Sequence, residues 1–249
     1  MKFFIKTILK LLGYELIKYN SNIHRINSQH FIPIKKNDKD WKINIEGFKK
    51  SKNIYDDFLT KIRFYSMSQL VKYILKKDKI YDFVECGCWR GHSSYIIAEL
   101  IKKKRITLHI FDSFEGLSSS SVKDGNFFLR KDKNRVEKQF FSDEFFVKNT
   151  VLKKFSFVKC YKGWIPSRFK EVKNKKFSFV HIDLCLYEPT LEALKFFYPR
   201  LVKGGIIVSN VYNSSVFPGE TRAWNEYFKK KNKHFFFKHA LNQSFLIKN

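Results

Sequence analysis

Acidic residues are scarce in this chain. Of 249 residues, 23 are Asp or Glu and 49 are Lys or Arg, a net charge of +26. Such a surplus invites a nucleic-acid reading. Its distribution argues against one. The excess is mostly Lys, runs the whole length, and comes with abundant Phe, Ile and Asn, the residues of AT-rich codons. A biased genome accounts for this better than a dedicated polyanion site, and attraction to anionic membranes or glycans follows in either case. Cysteine is sparse too. Cys86, Cys88, Cys160 and Cys185 contain no CxxC pair, which argues against a zinc site. Cys86 and Cys88 stand too close for a relaxed disulfide across a strand end, so reduced thiols and a cytoplasmic location are expected. No run of 18 apolar residues occurs, so no segment reads as a membrane span. The glycine patterns of dinucleotide sites and P-loops are also missing.

What is present alternates. Residues 56–77 carry an apolar stripe of Met67, Leu70, Val71, Ile74 and Leu75 at helical spacing, with Ser66 as a candidate N-cap. Strands are predicted at 81–86, 106–111, 156–161, 177–183 and 205–209, with helices between them at 92–103, 142–153 and 189–198. Pro189 suits a first helical turn and Pro199 a stop. That alternation predicts a parallel sheet covered on both faces. His234–Lys238 and Gln243–Lys248 then read as an antiparallel hairpin, making seven strands in all. Residues 118–141, with their Ser run and Gly125, read as a loop or lid.

The chain divides into an N-terminal extension, residues 1–55, and an α/β domain, residues 56–249. Residues 1–17 open with Ile5, Ile8, Leu9 and Leu12 on one helical face and Lys2, Lys6 and Lys10 on another. Lys6 and Lys10 interrupt the apolar stretch and argue against a signal peptide. Such a basic amphipathic helix could rest on the inner face of a membrane. A cap helix or the arm of a homodimer is the preferred reading.

The chemistry begins at Glu85-Cys86-Gly87-Cys88-Trp89-Arg90-Gly91, between a predicted strand and the helix that opens near Ser93. An acid at a strand end followed by Gly-x-x-x-Gly seats a nucleoside-like ligand, because glycine lets backbone approach and a helix start offers free N–H groups. The spacing fits S-adenosylmethionine (SAM). Asp112, at the end of the next strand and followed by Ser113, is placed to accept from ribose hydroxyls. Trp164 is either a pocket wall or ordinary core. At the fourth strand end, Asp183 faces the expected methyl acceptor as candidate general base, with His181 as the second. By strand period the two share a face.

These segments resemble one family. Glu85–Gly91, Phe111-Asp112-Ser113-Phe114-Glu115-Gly116, Lys162-Gly163-Trp164, His181–Tyr187, Gly204-Gly205 through Tyr212, and Pro218-Gly219 are similar to the macrocin O-methyltransferase (TylF/MycF-type) family over residues 80–230. The resemblance implies a Rossmann-like α/β SAM-dependent methyltransferase fold with a mostly parallel seven-stranded sheet and a C-terminal antiparallel hairpin. It implies SAM as cofactor, bound by Glu85, Gly87, Gly91, Ser93, Asp112, Ser113, Trp164 and Asp183. It also implies a sugar hydroxyl as acceptor, on a nucleotide sugar or a surface glycan of polysaccharide biosynthesis.

Where the family has His-Ile-Asp-x-Asp-Leu-Tyr, this chain has Cys185 at the second Asp. Where it has Asp-Asp-Tyr, this chain has Asn210-Val211-Tyr212. In the family those carboxylates help bind magnesium. Of that set Asp183 remains, with Asn210 able to add one neutral oxygen, so magnesium is not expected to be held well. The leading expectation is a SAM-dependent O-methyltransferase for a sugar, needing no nucleic acid. A non-catalytic SAM-fold partner in a glycan-assembly complex comes second, motivated by the missing carboxylates. An RNA methyltransferase comes third, because no RNA-binding module or Asn/Asp-Pro-Pro-Tyr motif accompanies the charge.

Overall fold

A computed structural model describes residues 38–53, 58–125, 140–231, 234–239 and 241–249, all within one compact unit, Lys36–Asn249. The helix expected within residues 1–17 lies outside the described residues, as does most of the candidate lid.

Seven strands form one sheet: β1 (Asp82–Cys86), β2 (Leu108–Asp112), β3 (Val158–Lys162), β4 (Phe177–Ile182), β5 (Leu201–Ser209), β6 (His234–His239) and β7 (Gln243–Lys248). Their order is β3-β2-β1-β4-β5-β7-β6. The first five pair in parallel, and β7 runs antiparallel to both β5 and β6. The fold class read from the sequence is therefore the one observed.

The central strands are mostly apolar because both faces are covered, with Glu85, His109 and His181 as buried exceptions. Phe83, Leu108, Ile110, Phe179, Ile206 and Val208 point to one side, against helices α1 (Lys39–Lys50), α2 (Phe58–Leu75) and α3 (His92–Ile101). Val84, Phe111, Val180, Ile182, Ile207 and Leu246 point to the other, against α5 (Tyr187–Arg200) and α6 (Pro218–Phe228). The helix predicted at 142–153 is a short turn, α4 (Glu144–Phe146), followed by π-helix over Val147–Val151.

Two sequence expectations need correction. Ser66 is no N-cap: α2 runs through it from Phe58. The stretch before residue 55, unassigned from sequence, contains α1, capped by Asp38, whose Oδ1 accepts from Asp40 and Trp41 N–H. α1 packs on α3 through Asn44, which meets His92 Nε2 at 3.0 Å.

Candidate active site

A cavity of about 360 Å³ opens over the carboxyl ends of β1, β2, β4 and β5. That is where ligands bind in open α/β sheets, and the volume lies in the range of small-molecule sites. Gly87, Ser93, Asp112, Ser113, Trp164 and Asp183, all read from the sequence as cofactor contacts, line it. Gly91 stands just behind, as the left-handed N-cap of α3 at φ 82°.

Asp112 organises the loop. Its Oδ2 accepts from Cys88 N–H at 2.7 Å and Trp89 N–H at 3.0 Å, and its Oδ1 from Phe114 N–H at 2.7 Å. Burial nevertheless pushes its carboxyl above the usual range, against the pull of those donors. A carboxylate offers about four lone-pair sites, so one stays available to a ribose hydroxyl. Ser113 closes the turn beside it, its hydroxyl donating to the Gly116 carbonyl at 3.1 Å. Trp164 is 40% exposed, a cavity wall rather than core. Half-buried carboxylate, close-approach glycine and exposed indole together fit SAM.

Glu85 and His181 are placed differently from expectation. Neither lines the cavity, and both are fully buried. They are register partners on adjacent parallel strands, so their side chains lie side by side. His181 Nδ1 meets Glu85 Oε1 at 2.9 Å, and the Ser94 hydroxyl of α3 donates to Glu85 Oε2. Burial works against a charged imidazole here, but Glu85 outweighs it and raises the His181 pKa. The pair is a buried strut between sheet and helix. Breaking such a pair strands a buried charge, so it holds the loop by structure. The sequence reading made His181 a second candidate base and Glu85 a cofactor contact; the structure places both side chains behind the cavity wall rather than on it.

Asp183 does face the cavity. It lies just past β4, its N–H donating to the Cys86 carbonyl at 2.9 Å, and its Oδ2 accepts from Asn210 Nδ2 at 2.8 Å. Burial raises its pKa, with His181 and the Asn210 amide pulling the other way.

The donor set does not fit magnesium. Asn210 presents its N–H₂ to Asp183 and its Oδ1 to Gln243 Nε2, at 3.2 Å. Cys185 is a buried thiol pushed well above its ordinary pKa, first by burial, and Val211 has no donor atom. Among the described residues no three His, Cys, Asp or Glu side chains could share a metal ion.

Several site residues were not read from the sequence. Arg63 of α2 lines the cavity, its Nη1 donating to the Asn210 carbonyl at 3.1 Å and its Nη2 to Thr60 Oγ1 at 2.9 Å. Trp89, Phe140 and Phe217 build an aromatic rim, with ring centres 5.7 Å and 6.1 Å apart in succession. His92 also lines the cavity, but burial pushes its pKa down to about 4 and both its nitrogens have partners, so it serves as a neutral link to α1.

Glu220 of α6 lies fully buried behind Asp183. It accepts from Cys185 N–H at 3.1 Å, from Leu184 N–H at 3.4 Å and from the Ser209 hydroxyl. Burial, and then the charge of Asp183, push its pKa up to about 8 from the ordinary 4.5. The folded chain therefore keeps a proton that the unfolded chain has released between those values. Stability from this group is present below pH 4.5 and falls as pH rises toward 8, by about 1.4 kcal/mol per pH unit. Glu220→Gln is expected to flatten that slope in denaturant melts taken across the window. An unchanged slope would mean that Glu220 does not titrate there.

A family model, the macrocin O-methyltransferase (TylF) model, matches residues 19–237. Among solved structures, the O-methyltransferase NovP is similar at 20% identity and a TM-score of 0.64, over 82% of this chain and 88% of that one. CalS11, a calicheamicin methyltransferase, is similar at 17% identity and a TM-score of 0.60, over 83% and 91%. A second, apo structure of CalS11, described as a TDP-rhamnose 3′-O-methyltransferase, is similar at 14% identity and a TM-score of 0.50, over 83% and 93%. At these identities the likeness speaks for the fold. No curated protein matches the sequence. With the motifs in order and the family model spanning most of its length, the chain belongs to the macrocin O-methyltransferase family of SAM-dependent O-methyltransferases.

Proposed function

We propose that this enzyme methylates a sugar hydroxyl, on a nucleotide sugar or a surface glycan, without a metal ion and with Asp183 as general base. The observation that carries the reading is Asp183, a half-buried carboxyl at the cavity wall next to Gly87 and fixed by Asn210. CalS11 is named for a sugar hydroxyl, which supports the acceptor class.

Bound SAM supplies a methyl group already activated on a sulfonium sulfur. The residues must align an acceptor oxygen with it and remove one proton. Asp183 Oδ2 is engaged by Asn210, which leaves Oδ1 to take the proton. As the oxygen bonds to the methyl carbon, the carbon–sulfur pair goes to sulfur and the hydroxyl proton to Asp183. General-base help is worth roughly 10²–10⁴-fold, and orientation roughly 7–11 kcal/mol of barrier, enough to replace a metal's part in acidifying the hydroxyl. The aromatic rim of Trp89, Phe140 and Phe217 gives the acceptor an apolar face to lie on.

The four unpaired cysteines support a cytoplasmic setting. No described helix is long and apolar enough to cross a membrane. Peripheral contact of residues 1–17 with anionic lipid, and a homodimer, belong to the same proposal and rest on the charge pattern of the sequence.

The first experiment is SAM calorimetry with Mg²⁺ and with EDTA, followed by methyl transfer to nucleotide sugars and glycans in EDTA. Micromolar binding indifferent to Mg²⁺, with transfer surviving chelation, is expected. Loss of transfer in EDTA would sink the metal-free mechanism. SAM binding without turnover on any acceptor would favour a non-catalytic partner.

A further inference from the structure

Arg63 is an anomaly on its own helix. It stands four residues before Met67 and eleven before Ile74, on the stripe that α2 buries. Its hydrogen bonds go to neutral oxygens, the Asn210 carbonyl and Thr60 Oγ1, and its Nε is buried without a partner. Among the described residues it forms no ion pair. A guanidinium stays charged at every accessible pH, and holding it half-buried with no counter-charge in contact costs free energy. With two of its five N–H groups committed and the Nε one enclosed, each terminal nitrogen keeps a second N–H.

Asn210 ties this cation to Asp183. Its amide donates to Asp183 Oδ2 at 2.8 Å, and its carbonyl accepts from Arg63 Nη1 at 3.1 Å. One residue at the end of β5 thus positions an anion and a cation on the same cavity wall. Gln243 braces the arrangement, its Nε2 donating to the Arg63 carbonyl at 3.1 Å and to Asn210 Oδ1 at 3.2 Å.

We propose that Arg63 stabilises the negative charge that develops on the acceptor oxygen, with Asp183 and Arg63 flanking one acceptor hydroxyl. This rests on the O-methyl transfer proposed above. As the proton leaves for Asp183 and the oxygen attacks the methyl carbon, that oxygen is partly anionic, and a fixed guanidinium beside it needs no reorganisation. The other anion it could meet is the carboxylate of SAM. The acceptor is favoured because Arg63 is anchored at β5, two strands from β1, whereas the Gly87 loop and its Asp112 anchor belong to β1 and β2.

The test compares Arg63→Gln, Arg63→Lys and Arg63→Ala with wild type for kcat, SAM affinity, thermal midpoint and pH profile. Arg63→Gln is expected to lower kcat about 10²–10³-fold while SAM affinity holds. Arg63→Lys keeps the charge but loses the planar fork, so its loss is smaller. Free guanidinium should restore part of the activity of Arg63→Ala. Since Arg63 also helps keep the Asp183 pKa down, the ascending limb of the pH–rate profile should move to higher pH in Arg63→Gln, a shift that a merely structural role would not produce. Unchanged kcat in a folded Arg63→Gln overturns the proposal. So does a loss confined to SAM affinity, which assigns Arg63 to the cofactor. If Arg63→Gln does not fold, absence of both guanidinium rescue and the pH shift in whichever of Arg63→Ala and Arg63→Lys folds overturns it. A wild type that transfers to no sugar acceptor overturns the functional reading along with it.

Discussion

Gly87→Ala is expected to cost both stability and cofactor binding. Gly87 holds φ at 84°, a conformation that costs other residues about 1–2 kcal/mol. A Cβ there would also lie 2.1 Å from the Asp183 carbonyl oxygen. That oxygen belongs to backbone, and neither side can yield easily. Gly87 N–H is bonded to the Phe111 carbonyl and Asp183 N–H to the Cys86 carbonyl, each at 2.9 Å. Overpacking of this kind adds about 1–3 kcal/mol. The sum, about 2–5 kcal/mol, is a large part of the stability of an ordinary domain. Because the atom that must move is Asp183's own, SAM affinity and turnover should fall with the thermal midpoint. Gly91→Ala is the internal control. Its φ is 82°, but an added Cβ meets the side-chain tips of Val147 and Val151 at 3.3 Å, which can give way. Thermal melts and SAM titrations of both variants decide the matter. A Gly87→Ala protein no less stable than Gly91→Ala would refute the close-approach argument.

The sheet was legible because its strands are short, apolar and separated by helical periods. β2 and β4 differ from their predicted bounds by a residue or two at the ends. β5 begins earlier than expected, at Leu201, because the exposed Lys203 and the pair Gly204-Gly205 read as a break, although the strand runs through them. The glycine loop at the end of β1 was legible because glycine spacing and strand-end acids are local signals. What failed were inferences about direction. Period two put His181 and Asp183 on one face, but β4 ends at Ile182 and Asp183 already follows the departing chain toward the cavity. Glu85 looked like a ligand contact because nothing local says that its neighbour across the sheet is a histidine. Glu220, in the first turn of α6 after Pro218, reads as an ordinary dipole-complementing acid, and only tertiary packing buries it. Arg63 did leave a trace, a cation on the apolar stripe of α2, which the stripe itself obscured.

Asp183→Asn is expected to lower kcat roughly 10²–10⁴-fold, the range for loss of a general base, while SAM binding persists. The amide is nearly the same size and can still accept from Asn210 Nδ2 through its own oxygen, so the cavity wall keeps its shape. What it cannot do is take a proton. Stability should move the other way. Burial holds the Asp183 carboxyl above the ordinary carboxylate range, which means the folded chain retains a proton that the unfolded chain gives up. That group's stabilisation is present at low pH and lost as pH rises through its folded pKa, so at neutral pH the wild type bears a partly desolvated charge that the variant lacks. Asp183→Asn should therefore melt no lower than wild type at neutral pH while turning over far more slowly. The wild-type rate should rise with pH through the raised pKa of Asp183, and the residual rate of the variant should show no such limb. Single-turnover methyl transfer at saturating SAM, followed across pH for both proteins, separates chemistry from binding. A variant with the wild-type rate and the wild-type limb would remove Asp183 from the reaction. Both halves of the expectation have one cause: a carboxyl that is costly to ionise in the folded chain is a better proton acceptor once ionised, and the same burial that weakens the fold at neutral pH strengthens the base.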